Sequence, residues 1–302
     1  MGEILIRTID LSKEFRDKKA VDKVSLNIPA GSIYGLIGRN GAGKTTFMRM
    51  ICGMTEPTSG EIVCKGEGRP DYGKIGALIE LPALNPKLSA FANLKLKCLA
   101  YGITDKKYIM EKLELVGLSL VCHKKVEKYS LGMRQRLGIA LALVGDPEIL
   151  VLDEPINGLD PQGIAEVRDL ITYLNEKYHT TVIISSHILE ELAKFVSDYA
   201  IIDNGKILEE STMEDLEKRC TDSIVIKSSE VDKVISGLKD MGIEDCKISG
   251  KKTVLVYTDT EKCAEINMSL AKADIPVESI SVAGADLEEY FMKLTGSSSK
   301  IR

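Results

Sequence analysis

The chain has 302 residues, about two domains' worth at roughly 100 to 200 residues per domain, and can bury a sizeable core. Its 44% apolar and 28% charged residues exclude a disordered or collagen-like chain. A net charge of -5 argues against a surface built for sequence-independent binding of nucleic-acid phosphates, so no nucleic-acid partner is expected.

In chain order, Ile4-Leu5-Ile6 and Val24 to Ile28 alternate as an opening β-region, and Ile33 to Ile37 reads as a buried strand. Helical periodicity follows from Thr45 to Cys52, Ala90 to Tyr101, Tyr108 to Val116 and Leu131 to Val144. The continuous apolar run Ile149 to Leu152 predicts a buried strand, Ile164 to Tyr178 a helix and Thr181 to Ile184 another strand. Ala200-Ile201-Ile202, Asp203-Asn204-Gly205 and Lys206-Ile207-Leu208 predict a closing hairpin. This alternation predicts an α/β domain over residues 1–220, with a largely parallel sheet and helices on its faces.

The pattern then restarts over residues 221–302. It runs strand Ser223 to Lys227, helix Val231 to Met241, strand near Cys246 to Ile248, strand Thr253 to Tyr257, helix Lys262 to Ala273 and strand Val277 to Val282. That order, β-α-β-β-α-β, predicts a small ferredoxin-like α+β accessory domain. A helix from Leu287 to Leu294 and a frayed tail, Gly296-Ser297-Ser298-Ser299, are expected to end it.

No stretch approaches the roughly 18 apolar residues that span a bilayer, so a membrane role requires a partner. The start, Met1-Gly2-Glu3-Ile4, lacks a basic region followed by an apolar core, and Ile6 stands where a myristoylation motif wants Ser or Thr. Neither a secretory signal nor that lipid is expected. Seven cysteines, an odd number without a Cys-x-x-Cys pair, predict free thiols filling the core in a reducing compartment.

Gly38-Arg39-Asn40-Gly41-Ala42-Gly43-Lys44-Thr45 fits G-x-x-x-x-G-K-[ST] between a predicted strand and a predicted helix. Its glycines let successive backbone N–H groups point at phosphate oxygens, the helix start adds partial positive charge, and Lys44 reaches the β and γ phosphates. Thr46 continues the helix start beside them. Thr45 would give its hydroxyl to Mg²⁺, and Asp153 at the end of the apolar strand would complete the metal site. Glu154, next in sequence, is then placed to polarise the attacking water.

These residues resemble the ATP-binding subunits of ABC transporters over residues 3 to about 219, and the family's other motifs follow in order. The resemblance implies a P-loop NTPase fold of the ABC type, with ATP and Mg²⁺ bound. Tyr129-Ser130-Leu131-Gly132-Met133-Arg134-Gln135 lies at the signature sequence, with Leu131 and Met133 replacing the usual Gly and Gln. The resemblance implies that Ser130 and Gly132 close on the γ-phosphate held by a second subunit, in an ATP-dependent homodimer. Gly158-Leu159-Asp160 is similar to the D-loop, and Ser185-Ser186-His187 to the switch loop, which implies that His187 contacts the γ-phosphate. Phe15 stands where the family stacks an aromatic on adenine, with Val21 packing nearby; a core Phe is the competing account. His123 and His179 sit in polar stretches as plain surface residues.

Glu80, in Lys74-Ile75-Gly76-Ala77-Leu78-Ile79-Glu80-Leu81-Pro82, takes the place of the family's usual Gln, which meets both Mg²⁺ and the transmembrane partner. A carboxylate is still an oxygen ligand for the metal. Together with the Leu-Gly-Met signature and the ending Asp286 to Phe291, Glu80 resembles the branch that handles bacitracin-type and lantibiotic peptides. The implied function is an ATPase that drives a separate permease at the inner face of the cell membrane. A ribosome- or DNA-directed ATPase of the same superfamily is the alternative. The single phosphate loop and the offset of 109 positions from Lys44 to Asp153, with no inserted coiled coil, favour transport. A metabolic kinase predicts neither a signature sequence nor a switch histidine.

Overall fold

The computed structural model describes residues 3–16, 18–65, 68–219, 223–250, 252–283 and 287–295. Met1-Gly2, Cys220, Asp286 and the tail from Gly296 to Ser299 lie outside them. Two compact units divide the chain, residues 1–213 and 214–302, where the sequence alone suggests a boundary at 220.

In the first unit the chain opens with β1 (Ile4–Phe15), β2 (Lys18–Val24) and β3 (Asn27–Pro29), followed by β4 (Ile33–Ile37) and α1 (Lys44–Ile51). Next come β5 (Ser59–Cys64), β6 (Ile75–Leu78), α2 (Ala90–Ala100), α3 (Lys106–Leu115) and α4 (Leu131–Ala142). The unit continues through β7 (Ile149–Leu152), α5 (Pro161–Tyr178), β8 (Thr181–Ser186), α6 (Leu189–Ala193), β9 (Asp198–Asp203) and β10 (Lys206–Thr212). Six of these strands form one sheet in the order β10-β9-β4-β8-β7-β6, parallel except for the final hairpin. All residues of β4 and β7 are buried, which explains why those strands read as continuous apolar runs without alternation. In a parallel sheet the strand ends face the ligand crevice. Here the ends of β4, β7 and β8 deliver Gly38, Asp153 and His187 to neighbouring positions.

A second, antiparallel sheet pairs β1 with β2, β3 and β5. β1 runs well past its apolar opening Ile4-Leu5-Ile6, through 12 residues, and beyond that opening Asp10 takes a left-handed conformation (φ 46°) and register shifts break the alternation of period two. Glu210 on β10 ties the two sheets: it accepts from the Asn27 N–H at 2.9 Å and from the Tyr34 hydroxyl at 2.7 Å. Burial, reinforced by the Glu210 charge, holds the Tyr34 phenol protonated well above its ordinary range. The core between the sheets gathers Leu11, Val21, Leu26, Leu36, Phe47 and Met48.

α4 lies directly on β6. A side chain at Gly76 would meet the Ala142 carbonyl at 2.1 Å, and one at Gly138 would meet Pro82 at 2.7 Å and Leu78 at 3.0 Å. The helix that follows Ser130 is thereby seated on the strand that leads to Glu80.

α7 (Met213–Arg219) straddles the division. The second unit contains β11 (Ser223–Lys227), α8 (Val231–Asp240), β12 (Cys246–Ser249), β13 (Thr253–Val256), α9 (Cys263–Lys272), β14 (Ser279–Ala283) and α10 (Leu287–Leu294). The antiparallel sheet order β12-β13-β11-β14 is the arrangement expected of β-α-β-β-α-β connectivity. Ile224, Ile226, Val254 and Val256 alternate onto one face and pack with Val234, Leu238, Ile266 and Leu270 of the two helices. Cys52, Cys64, Cys98, Cys122, Cys246 and Cys263 are free thiols, and burial pushes the Cys52 thiol up to about 12. No helix among the described residues is long and apolar enough to cross a membrane.

Candidate active site

The loop from Gly38 to Gly43 joins β4 to α1, and Gly43 takes φ 112°, a conformation open to glycine, as the helix begins at Lys44. A side chain there would strike the Ala20 carbonyl at 2.4 Å. Lys44, 5% exposed, folds back under the loop, donating to the carbonyls of Gly38 at 2.6 Å and Arg39 at 3.2 Å. Its ammonium also lies 3.0 Å from Glu154 Oε1. A buried cation needs such partners.

Asp153, 2% exposed at the end of β7, accepts the Thr45 hydroxyl at 2.7 Å on Oδ2 and the Ser185 hydroxyl at 2.6 Å on Oδ1. Ser185 accepts in turn from the Glu154 N–H at 2.9 Å, so one buried hydroxyl aligns both acidic residues. Glu154 takes φ 49°, and its Oε2 lies 2.9 Å from His187 Nδ1. One constellation thus gathers Lys44, Thr45, Asp153, Glu154, Ser185 and His187 from three segments of the chain.

The cleft in front of it has a volume of about 580 Å³ and is lined by Phe15, Lys18, Lys19, Ala20, Arg39, Asn40, Gly41, Gly43, Lys44, Thr45, Thr46, Glu154, Asn204 and Gly205. Four basic side chains face one carboxylate there, the balance a polyphosphate would meet. Phe15 is 52% exposed at its mouth, an unburied aromatic of the kind a flat ring can cover. The donor set fits a nucleotide and, through the Thr45 hydroxyl and Asp153 carboxylate, a hard cation that takes oxygen ligands. Gly38 and Ala42 form the back of the loop: the Gly38 N–H donates to the Ser186 carbonyl at 3.1 Å, and Ala42 is buried.

Two expected positions fall elsewhere. Val21 is fully buried in the hydrophobic core, and its neighbour Ala20 lines the cleft instead. Glu80 is not brought to the Thr45–Asp153 pair; it is 60% exposed and pairs with Arg49 Nη2 at 2.8 Å, and no group of three or more His, Cys, Asp or Glu converges among the described residues. Beside it opens a groove of about 510 Å³, lined in part by Met54, Leu78, Leu81, Pro82, Leu96 and Leu141.

Ser130 caps α4, its Oγ accepting from the Met133 N–H at 3.2 Å, and stands exposed outside the cleft of its own chain. The D-loop packs against this segment, with Leu159 Cδ2 3.7 Å from a Cβ built at Gly132 and Leu131 Cδ2 3.3 Å from one at Gly158. Asp160 caps α5. His123 and His179 are exposed, and His179 ends α5 in a left-handed conformation. The sequence places Ser185 in the switch loop and Asn204 and Gly205 in the closing hairpin, without giving any of the three a role of its own in the site. For Ser185 the usable signal is a polar residue at the end of an otherwise apolar strand.

The ABC transporter family model matches residues 21–157, and a model described as AAA domain, putative AbiEii toxin, Type IV TA system, matches residues 125–193. The chain is 39% identical to the uncharacterized ABC transporter ATP-binding protein YcbN of Bacillus subtilis, over 98% of both chains. It is 40% identical to the bacitracin transport ATP-binding protein BcrA of Bacillus licheniformis, over 97% of both. To the lantibiotic transport ATP-binding protein SrtF of Streptococcus pyogenes it is 41% identical, over 68% of this chain and 89% of that one. Among solved structures, the dimeric post-hydrolysis form of the ATP-binding cassette MJ0796 bound to ADP and Pi superposes with a TM-score of 0.62 at 25% identity, covering 69% of this chain and 99% of that one.

Proposed function

This chain belongs to the ABC transporter ATP-binding proteins and is an ATPase, and from that premise we propose that it powers a separate permease expelling antimicrobial peptides of the bacitracin and lantibiotic kind. The observation that carries the chemistry is the convergence of Lys44, Thr45, Asp153, Glu154 and His187 on one basic cleft. The phosphate loop and Lys44 take the triphosphate, and Phe15 offers its ring to the base. Thr45 and Asp153 would hold Mg²⁺, and the bound ion would supply charge that offsets that of the transferred phosphoryl group.

Glu154 is the general base, drawing a proton from the attacking water while His187 and Lys44 fix its two oxygens. Ser130 and Gly132 serve the site of a second chain, so hydrolysis proceeds in an ATP-bound homodimer. The permease seats on the groove beside Glu80 and holds the ATPase at the inner face of the membrane.

The reading as a ribosome- or DNA-directed ATPase gains nothing from the fold: the helices between Lys44 and Asp153 have 11, 10 and 12 residues, too short for an inserted coiled coil. The full-length relatives include transport proteins. Cells carrying the chain with its neighbouring permease are the test. Wild type is expected to raise resistance to bacitracin or to a lantibiotic, and Lys44→Ala to abolish it; equal killing of both strains by both peptides would sink the assigned cargo.

A further inference from the structure

The hairpin turn between β9 and β10 lines the nucleotide cleft, a place no motif assigns to it. Asn204 (φ 47°) and Gly205 (φ 77°) form the two-residue loop, with Asp203 opposite Lys206, as expected of an Asn-Gly turn closing a hairpin. Its position depends on the second residue. The Gly205 N–H donates to the Ala42 carbonyl of the phosphate loop at 2.8 Å, and its carbonyl accepts from the Asp22 N–H of β2 at 2.8 Å.

Three backbones thus meet with no side chain between them. A Cβ at Gly205 would lie 2.9 Å from the Ala20 carbonyl oxygen and 3.2 Å from Val21 Cα, while one at Gly43 would lie 3.5 Å from Gly205 Cα. The same junction carries an ionic clasp, in which Asp22 faces Lys19 at 3.2 Å and Lys206 at 3.6 Å. On one side of the junction is the loop for phosphates. On the other is the β1–β2 hairpin, with Phe15 paired opposite Lys18 at its tip.

We propose that Gly205 is a positioning residue that fixes the spacing between the Phe15 platform and the phosphate loop, so that base and phosphates of one nucleotide engage together. The proposal rests on the reading of Phe15 as the base-stacking residue. Either half is intact by itself: phosphate binding needs the loop alone, and stacking needs the platform alone. Gly205 matters to a ligand that must reach both, because binding the second group is nearly free once the first is held at the correct distance. A side chain at position 205 forces the layers apart, strained by its positive φ as well as by contact.

The experiment compares ADP with inorganic pyrophosphate, both with Mg²⁺, by calorimetric titration of the full chain. Stacking of a base on an aromatic ring is worth on the order of ten-fold in affinity, so wild type should prefer ADP by about that factor. Gly205→Ala should bring the preference within about two-fold while pyrophosphate binds within about three-fold of wild type. Adding Phe15→Ala to Gly205→Ala should change nothing further, the non-additivity of residues acting through one another. Asp22→Asn, which loosens the clasp without adding bulk, should lower the preference in the same direction by about two-fold, and serves if Gly205→Ala fails to fold. Loss of pyrophosphate binding in step with ADP, or additive effects of Phe15→Ala and Gly205→Ala, would overturn the proposal in favour of plain support for the loop. Phe15→Ala without effect in the wild-type chain would instead remove the stacking reading and this proposal with it. A preference lost in Phe15→Ala but kept in both Gly205→Ala and Asp22→Asn would remove the junction alone.

Discussion

The helix start at Lys44 and the helix start at Ser130 offer the same kind of anion-directed backbone, yet they are built in opposite ways. Around Lys44 the polar groups are buried and paired within one chain: Lys44 to two carbonyls and Glu154, Asp153 to two hydroxyls. Ser130 is exposed and spends its hydroxyl on capping α4, with Gly132 beside it against the D-loop. Burying charges is costly unless they are paired, so the first region is pre-arranged at the expense of a dense network. The second leaves its face open, which is what a surface completed by another copy requires. The contrast teaches that the two halves of the proposed catalytic site answer to different tests, one internal to the chain and one not.

The internal half is where the largest effect is expected. Glu154→Gln keeps the shape of the side chain but removes its basicity, and turnover should fall by roughly 10² to 10⁴-fold while ATP still binds. Phosphate release and nucleotide binding, measured on purified proteins, check both statements. Unchanged turnover would remove Glu154 from the mechanism.

The external half calls for a complementation experiment. Ser130→Arg places bulk and charge on the open face without touching the cleft, so each chain should bind ATP as wild type does and yet fail to hydrolyse it. Lys44→Ala should fail for the opposite reason. Mixed together, the two inactive proteins should recover activity, because a heterodimer unites the intact phosphate loop of one with the intact Ser130 of the other. A mixture as inactive as its components, at concentrations where light scattering detects the Mg-ATP dimer of the Glu154→Gln protein, would mean that Ser130 does not act across the interface.

Smaller, and structural, is the effect expected where α4 meets β6. Gly138→Leu inserts a side chain where a bare Cβ already stands 2.7 Å from Pro82. Overpacking of this sort costs about 1 to 3 kcal/mol, to be read as a lowered midpoint in denaturant. A variant as stable as wild type would show that α4 can lift from the sheet at no expense.

How far these regions were legible in the sequence follows the same division between short-range and long-range order. The phosphate loop, Asp153 and Glu154 were readable because their chemistry is carried by adjacent residues at fixed spacing after an apolar strand. The order β-α-β-β-α-β in the second unit was readable from periodicity, since one face of its sheet packs on two amphipathic helices. β2, β5 and α6 were not: the first two are polar strands of an antiparallel sheet, and α6 has only five residues. Ser185 and Gly205 act through partners 31 or more residues away in sequence, and nothing in their local pattern announces those partners. Val21 belongs to the core rather than the cleft because β2 buries it with Val24, three residues on, so that no simple alternation along the strand announces its inward face.

Glu80 is the position where the expected effect is smallest at the nucleotide and largest at a distance. Its side chain is 60% exposed and paired with Arg49, itself on the helix that begins at Lys44. An ion pair so open to solvent is worth about 0 to 1 kcal/mol. Glu80→Ala should therefore change ATP affinity by no more than a few-fold, and added salt should shrink even that difference. The backbone points the other way: Glu80 holds φ 61° outside a glycine, next to the groove beside Leu81 and Pro82. A residue kept in that conformation shapes the rim of the groove where the permease is proposed to sit. Resistance in cells that carry the permease should consequently fall in Glu80→Ala by more than ATP affinity does. Glu80→Gln, which retains an oxygen acceptor for Arg49 without the charge, should recover part of it. If Glu80→Ala cells resist the peptide as wild type does, the Arg49–Glu80 pair is a surface contact only, and coupling to the permease runs through other residues of the groove.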